Sequence, residues 1–306
     1  MTSAVLEAGI TVKANPPEEL RSRLLAKGDK LQMVPAVAMK ALAMAKDPEC
    51  SIAEFASVVE RDVRLAADIL RITNSAFYGA RHQILNLRQA VVRLGFAHCR
   101  NVILAASLGS MMKRMPLSEA WTQTVLWRHA VLTGIISVKL NQSFKLGFDG
   151  EEFAAGLIHD VGRALVGVVA PNHLSEADPF DFEESPEMLL REREILRTDH
   201  CELGAWFMTH CKLPEPLVDV VQFHHNPSGS KENFKLVSLI AVADDMANYL
   251  QRSDTAVGYD PESNFAIDDL FGNNVFARRQ FVTEAVDLME LVSREANSTN
   301  QPFSLS

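Results

Sequence analysis

The sequence predicts an all-α fold, built as a helical bundle of two lobes that divide near residue 115. Apolar residues recur at three- and four-residue spacing along nearly the whole chain, and cap residues precede most of these stretches. No stretch alternates between apolar and polar residues as a half-buried strand would. With 306 residues, 47% of them hydrophobic, the chain can form one large domain or two small ones with real cores.

The first lobe is predicted to follow an N-terminal extension over residues 1–26. Ser51 and Glu54 have the spacing of a capping box, which satisfies two backbone N–H groups at a helix start. Asp62 and Asn86 stand at further N-cap positions, and Gly95 marks a helix end. Helices are expected at about 34–45, 51–60, 63–74, 87–95 and 97–113, with a loop of sequence NSAFYGARHQI starting at residue 74.

The second lobe is predicted to begin with a long helix from about 118 to 140. The next helix carries His159 and Asp160, and residues 171–185, PNHLSEADPFDFEES, are expected to form an acidic linker. Further helices are expected at about 186–198, 201–212, 215–224 and 232–250. Over 251–306 the sequence predicts a polar loop to about 275, a terminal helix near 276–294 and a frayed tail.

Composition excludes several classes of protein. A formal net charge of −9 argues against a general nucleic-acid binder or a protein of anionic membranes. The chain start lacks a signal-peptide pattern, and no uncharged apolar run of about 18 residues suggests a membrane span. The four cysteines show no paired spacing and are interpreted as ordinary reduced thiols, so we expect a cytoplasmic protein. The seven arginines of 61–100 are interpreted as lining solvated helix faces. The alternative is an anion-binding face, for an acidic patch of a protein or for a nucleotide, formed by Arg71, Arg81, Arg88, Arg93 and Arg100.

Several histidines and two aspartates interrupt apolar helix faces or stand at helix ends in the second lobe. An unpaired carboxylate inside an apolar stretch such as GLIHDVGR costs several kcal/mol, so something must compensate Asp160. A hydrogen-bonded cluster that ties helices together is one explanation, and a divalent metal such as Zn, Fe, Mn or Ni is the other. The candidate ligands are His129, His159, Asp160, His200, His224, His225 and Asp244.

The order of His129, the adjacent pair His159 and Asp160, and Asp244 resembles the H…HD…D signature of the HD-superfamily metal-dependent phosphohydrolases. The stretch HDVGR resembles the HDIGK of the HD-GYP branch, and the remaining three histidines fall where that branch carries extra metal ligands. Two features depart from that branch: Arg163 replaces the usual lysine, and 226–228 reads Asn-Pro-Ser in place of a GYP-type motif.

The whole of 27–250 is similar to the HDOD domain, a signalling output domain related to the HD superfamily. The similarity is carried by LQMVPAVAMKAL, VVERDVRLAADILRITNSAFYG, LRQAVVRLGFAHCRNVIL, AAGLIHDVGR, LGAWFMTHCKLPEPLVDVVQFHH and AVADDMANYL. It implies a helical lobe at about 27–115 and an HD-like lobe at about 116–250.

This resemblance implies a bacterial regulatory protein that acts on signalling partners through protein contacts and without catalysis. The alternative is a metal-dependent phosphodiesterase acting on a nucleotide or cyclic dinucleotide. In that alternative a metal-activated water attacks phosphorus, Asp160 holds the metal and Arg163 holds a phosphate oxygen. The sequence indicates no organic cofactor and leaves the oligomeric state open.

Overall fold

The computed structural model describes residues 15–31, 34–45, 47, 49–74, 83–117, 119–183 and 186–297, which form helices and connecting loops with no strand among them. The all-α prediction is confirmed. The α-helices in chain order are α1 (Glu18–Leu25), α2 (Ala36–Met44), α3 (Ile52–Val59), α4 (Val63–Thr73), α5 (Leu87–Arg114), α6 (Ala120–Phe144), α7 (Glu151–Ile158), α8 (Val161–Val169), α9 (Leu174–Ala177), α10 (Pro186–Leu196), α11 (His200–His210), α12 (Glu215–Phe223), α13 (Phe234–Ser253), α14 (Ile267–Phe271) and α15 (Val275–Asn297).

The predicted cap residues begin the helices of the first lobe. The Ser51 hydroxyl accepts the backbone N–H of Glu54 at 3.2 Å, and the Glu54 carboxylate accepts that of Ser51 at 3.1 Å, which completes the capping box. The Asp62 side chain accepts the backbone N–H of Leu65 at the start of α4, and the Asn86 side chain accepts that of Gln89 at the start of α5. These starts are fixed by local hydrogen bonds, so sequence alone locates them.

Helix α5 is interrupted where the sequence predicted a helix end. Gly95 has φ 79° and ψ 167°, a conformation that a residue with a Cβ adopts only at a cost. Among the described residues, α5 is long and apolar enough to cross a membrane, and 56% of its most apolar stretch is buried inside the fold. The cellular compartment stays a prediction.

Two close backbone approaches arrange the helices of the second lobe. A Cβ on Gly156 of α7 would lie 2.6 Å from the Cα of Gly134, so α7 packs directly on α6. A Cβ on Gly162 would lie 1.8 Å from the carbonyl oxygen of His200, so α8 packs equally closely on α11. These contacts bring the polar residues of four helices to one place.

Helices also occur where the sequence suggested irregular structure. Helix α1, inside the predicted extension, buries Leu20 and Leu24, and Arg23 donates to the Val169 carbonyl of α8 at 2.8 Å. The predicted loop over 251–275 contains a 3₁₀ turn at Pro261–Ser263 and helix α14. Helix α15, at the position of the terminal helix predicted near 276–294, packs on α6. The lobe division near 115 and the boundaries at 27 and 250 stay predictions.

Some sequence predictions fall outside the described residues. These are the N-terminal fourteen residues of the extension, positions 75–82 of the NSAFYGARHQI loop (Arg81 among them), the helix start at 118 and the tail over 298–306.

Candidate metal centre

His159 and Asp160 lie at a break between two helices, not within one helix as the sequence suggested. Helix α7 ends at Ile158 and α8 begins at Val161; Asp160, at φ −100° and ψ 16°, is the N-cap residue of α8. The break keeps both side chains buried. The His159 ring is oriented by its Nδ1, which lies 2.8 Å from the Gly156 carbonyl.

One group of donors is contributed by three helical elements. The Nε2 atoms of His129 on α6 and His159 lie 3.2 Å apart, and both face Oδ1 of Asp244 on α13, at 2.9 Å and 3.2 Å. All three side chains are buried. A nitrogen, nitrogen and oxygen set converging on one point is suited to a borderline divalent metal.

A second group lies beside the first and includes a residue that the sequence reasoning missed. His200, His224 and His225 converge with Cys201, and their ligand atoms all lie within 4.8 Å of one another. Cys201 is a free cysteine, and its interpretation as an ordinary reduced thiol stays a prediction; its Sγ lies 3.3 Å from Nε2 of His200. The adjacent His200 was the available sequence signal for this cysteine.

Asp160 lies between the two groups. Its Oδ2 is 3.6 Å from Nε2 of His129 and 3.7 Å from that of His159, while its Oδ1 is 3.5 Å from Nε2 of both His200 and His224. The structure thus brings all seven candidate ligands together. Their role as ligands stays a prediction.

The hydrogen bonds of the rings test whether a metal fits. Backbone carbonyls only accept, so Nδ1 of His224 donates to Val220 and Val221, and its Nε2 presents a lone pair when the ring is neutral. That lone pair faces Asp160 Oδ1, itself an acceptor, and neither atom has a hydrogen-bond partner within the described part of the chain. Two buried acceptors facing each other need a cation or an added proton, so the donor set fits a metal.

Charge at the centre favours the same conclusion. Burial opposes ionisation of Asp160, but the Arg163 guanidinium and the His159 ring outweigh it and hold the pKa of this carboxyl well below its usual range. Asp244 is likewise buried, and His159 lowers its pKa well below the usual range. The two carboxylates in turn raise the pKa of His159 against the effect of its burial. Both aspartates are therefore anions at neutral pH, and a divalent cation would offset them.

Arg163 is held by carboxylates from two sides. Its Nη1 donates to Asp160 Oδ2 at 2.9 Å, and its Nε and Nη2 donate to Asp178 at 2.6 Å and 2.9 Å. The guanidinium is 1% exposed. A paired fork of this kind is among the strongest ion pairs in proteins because both N–H bonds are aligned.

Residues 178–182, which we call the cap segment, cover the centre. They belong to the predicted acidic linker, in which Asp178, Phe180 and Phe182 are all buried. The Phe182 ring lies 4.8 Å from the Arg163 guanidinium and 5.0 Å from the His129 ring. Phe180 and Phe182 have φ of 55° and 56°, a strained conformation for residues with a side chain, so the packing over the centre stabilises it.

Glu192 was also not found from the sequence. Its carboxylate lies 2.9 Å and 3.0 Å from Nδ1 of His200 and accepts the backbone N–H of that residue. This leaves Nε2 of His200 directed at Asp160. Carboxylates that orient a ligand histidine are common around metal sites, but eight positions of separation gave no signal.

Comparison with known proteins gives one family. The HDOD domain matches residues 31–227. An uncharacterized protein from Treponema pallidum (strain Nichols) is 24% identical over 227 residues, which are 72% of this chain and 44% of that protein, so the chain spans less than half the length of this relative.

Two solved structures share the fold. An HDOD domain protein of unknown function from Geobacter sulfurreducens is 21% identical, with 90% of this chain and 97% of that chain covered and a TM-score of 0.68. A protein from Shewanella amazonensis SB2B with a provisional phosphohydrolase assignment is also 21% identical, with 90% and 98% covered and a TM-score of 0.64. At this identity the likeness concerns the fold alone.

Proposed function

The chain belongs to the HDOD domain family, and on that premise we propose that it is a metal-holding signalling protein that acts through contacts with other proteins and not through catalysis. Divalent metal would be held by the seven predicted ligands, with Asp160 between the two groups of donors. A bound ion would supply a Lewis acid and offset the buried negative charge. Zn, Fe, Mn and Ni all suit imidazole and carboxylate ligands.

The observation that carries the proposal is the closure of the centre by its own chain. In a phosphohydrolase, Arg163 would donate to a phosphate oxygen of the substrate. Here three of its N–H groups already donate to Asp160 and Asp178. Phe180 and Phe182 cover the same guanidinium. A phosphoester that bound Arg163 from the side of the cap segment would displace a paired carboxylate and two buried aromatic rings, which is costly without a compensating contact.

Exposed apolar side chains of the first lobe support action through protein contacts. Val63, Leu85 and Val92 are 79%, 67% and 73% exposed. Apolar side chains this exposed are available for contact with a partner protein. The upstream signal and the partner would then meet on the protein surface while the metal centre holds the second lobe together.

Hydrolysis assays test this proposal. The purified protein, loaded in turn with Zn, Fe, Mn or Ni, is offered phosphomonoesters, phosphodiesters and cyclic dinucleotides. The expected result is no turnover beyond that of a His159→Ala variant in parallel. Robust turnover that disappears in His159→Ala would overturn the proposal.

A metal-dependent phosphohydrolase is the second candidate, because His129, His159, Asp160 and Asp244 all converge as its signature requires. Asp178→Asn separates the two candidates. It keeps the shape of the cap segment but removes the charge that competes for Arg163. If hydrolysis appears in this variant and is lost on adding His159→Ala, the protein is a capped hydrolase; inactivity supports the signalling role.

A further inference from the structure

Cys201 is positioned with the second group of donors and not in an apolar pocket. It is the second residue of α11, is 4% exposed, and directs its Sγ toward Nε2 of His200 at 3.3 Å. His225, which follows α12, has its Nε2 3.2 Å from Nε2 of His200. A sulfur and a ring nitrogen from the start of α11 and a second ring nitrogen from the residues after α12 thus lie close together.

The lone pairs of two of the rings are fixed toward that point. His200 Nδ1 donates to the Glu192 carboxylate, and His224 Nδ1 donates to backbone carbonyls, so Nε2 of each neutral ring is an acceptor. Nε2 of His224 is buried and has no hydrogen-bond partner among the described residues. The Cys201 thiol could donate its proton to Nε2 of His200, but Nε2 of His224 would still have no hydrogen-bond donor.

Two of the ligand-to-ligand distances are close to those of tetrahedral coordination. At a metal–nitrogen bond length of about 2.0–2.1 Å, two nitrogen ligands of a tetrahedral ion lie about 3.3–3.4 Å apart, and a nitrogen and a thiolate sulfur lie about 3.6 Å apart. The observed separations of 3.2 Å between His200 and His225 and 3.3 Å between His200 and Cys201 are close to these values. Small outward movements of the rings would accommodate an ion.

We propose that Cys201 is a thiolate ligand that completes a His₃Cys metal site with His200, His224 and His225, separate from the oxygen-containing site of His129, His159, Asp160 and Asp244. The proposal rests on the metal-holding part of the proposed function and adds to it the identity of the metal. A thiolate favours Zn²⁺, Fe²⁺ or Co²⁺ over Mn²⁺ and Mg²⁺, while the other site accepts harder ions. Four protein ligands leave no coordination position for substrate, as is usual in structural sites.

Cobalt substitution tests the assignment by spectroscopy. The full chain is stripped of metal and titrated with Co²⁺, and thiolate ligation is expected to produce a near-ultraviolet charge-transfer band. Cys201→Ser should lose the band yet still bind Co²⁺ at the other site. Cys211→Ser, which removes a half-buried thiol at the other end of the same helix, should keep the band. Circular dichroism verifies that each variant is folded.

X-ray absorption of the unmodified protein loaded with Zn²⁺ or Co²⁺ gives a second readout that needs no variant. A sulfur neighbour at about 2.3 Å is expected. Co²⁺ bound without a charge-transfer band, or a band that survives in Cys201→Ser, would refute the assignment but leave a metal-holding protein. Failure to bind Co²⁺ at all would refute both. Hydrolysis of phosphoesters with the band intact would overturn only the signalling role.

Discussion

Arg163→Met removes a buried cation that joins the cap segment to the metal centre. The guanidinium is 1% exposed and donates to Asp160 and Asp178, which are themselves buried. Removing one partner of a buried ion pair costs about 3–5 kcal/mol because the remaining charge has lost its compensation. In a chain of this length each kcal/mol lowers Tm by about 2 °C, so we expect a decrease of roughly 5–10 °C.

Arg71→Met is the matched control. Arg71 also pairs with an aspartate, Asp68 at 3.1 Å, but its side chain is 50% exposed. Exposed pairs contribute about 0–1 kcal/mol, so this variant should remain close to wild type. Adding Asp178→Leu to Arg163→Met should recover part of the loss, since an apolar side chain then replaces an unpaired carboxylate.

Thermal unfolding of the four proteins, followed by far-ultraviolet circular dichroism, measures these differences as shifts in Tm. If Arg163→Met and Arg71→Met have the same Tm, the Arg163 side chain does not hold the cap segment in place. A double variant less stable than Arg163→Met would also contradict the account, because the loss would then come from packing and not from charge.

Three further predictions concern metal, packing and pH. His159→Ala should strip bound metal and lower Tm, and a chelator should lower the Tm of wild type but not of this variant, because binding to the folded state adds stability. Gly162→Ala should weaken metal binding and lower Tm, because its methyl group would lie 1.8 Å from the His200 carbonyl; metal titration and thermal unfolding measure both. Burial raises the pKa of Glu152 above its usual value of 4.5. The folded chain therefore binds the carboxyl proton of Glu152 more tightly than the unfolded chain does. The stability that this proton contributes is present at low pH and is lost as the pH rises through the folded pKa. Glu152→Gln should flatten that dependence in denaturant unfolding at a series of pH values.

Local interactions made much of the fold predictable. The Ser51 capping box and the Asp62 and Asn86 caps involve residues three positions apart, so the sequence contains both partners. The break at Gly95 is likewise a property of one residue. Helix α14 was missed because its five residues are too short to display a helical period and are fixed by packing on α13 and α15.

The candidate site was predictable only in part, for a related reason. Its histidines and aspartates each interrupt an apolar pattern, which marks them individually. Glu192 and Asp178 acquire their roles from contacts across the fold, with His200 and Arg163, and neither contact has a fixed spacing. The acidic composition of 171–185 did not indicate that Asp178 is buried, because its burial depends on a partner that composition does not identify.

Metal content of the purified protein is the most direct test of the central claim, that the buried donors of the second lobe hold divalent metal. The chain is expressed in medium supplemented with Zn, Fe, Mn and Ni, purified without metal-affinity steps, and analysed by inductively coupled plasma mass spectrometry. We expect at least one equivalent of divalent metal per chain in wild type and a clear loss in His159→Ala. Wild-type protein that is folded yet free of divalent metal would contradict the account, and the cluster would then be compensated by protons and hydrogen bonds alone.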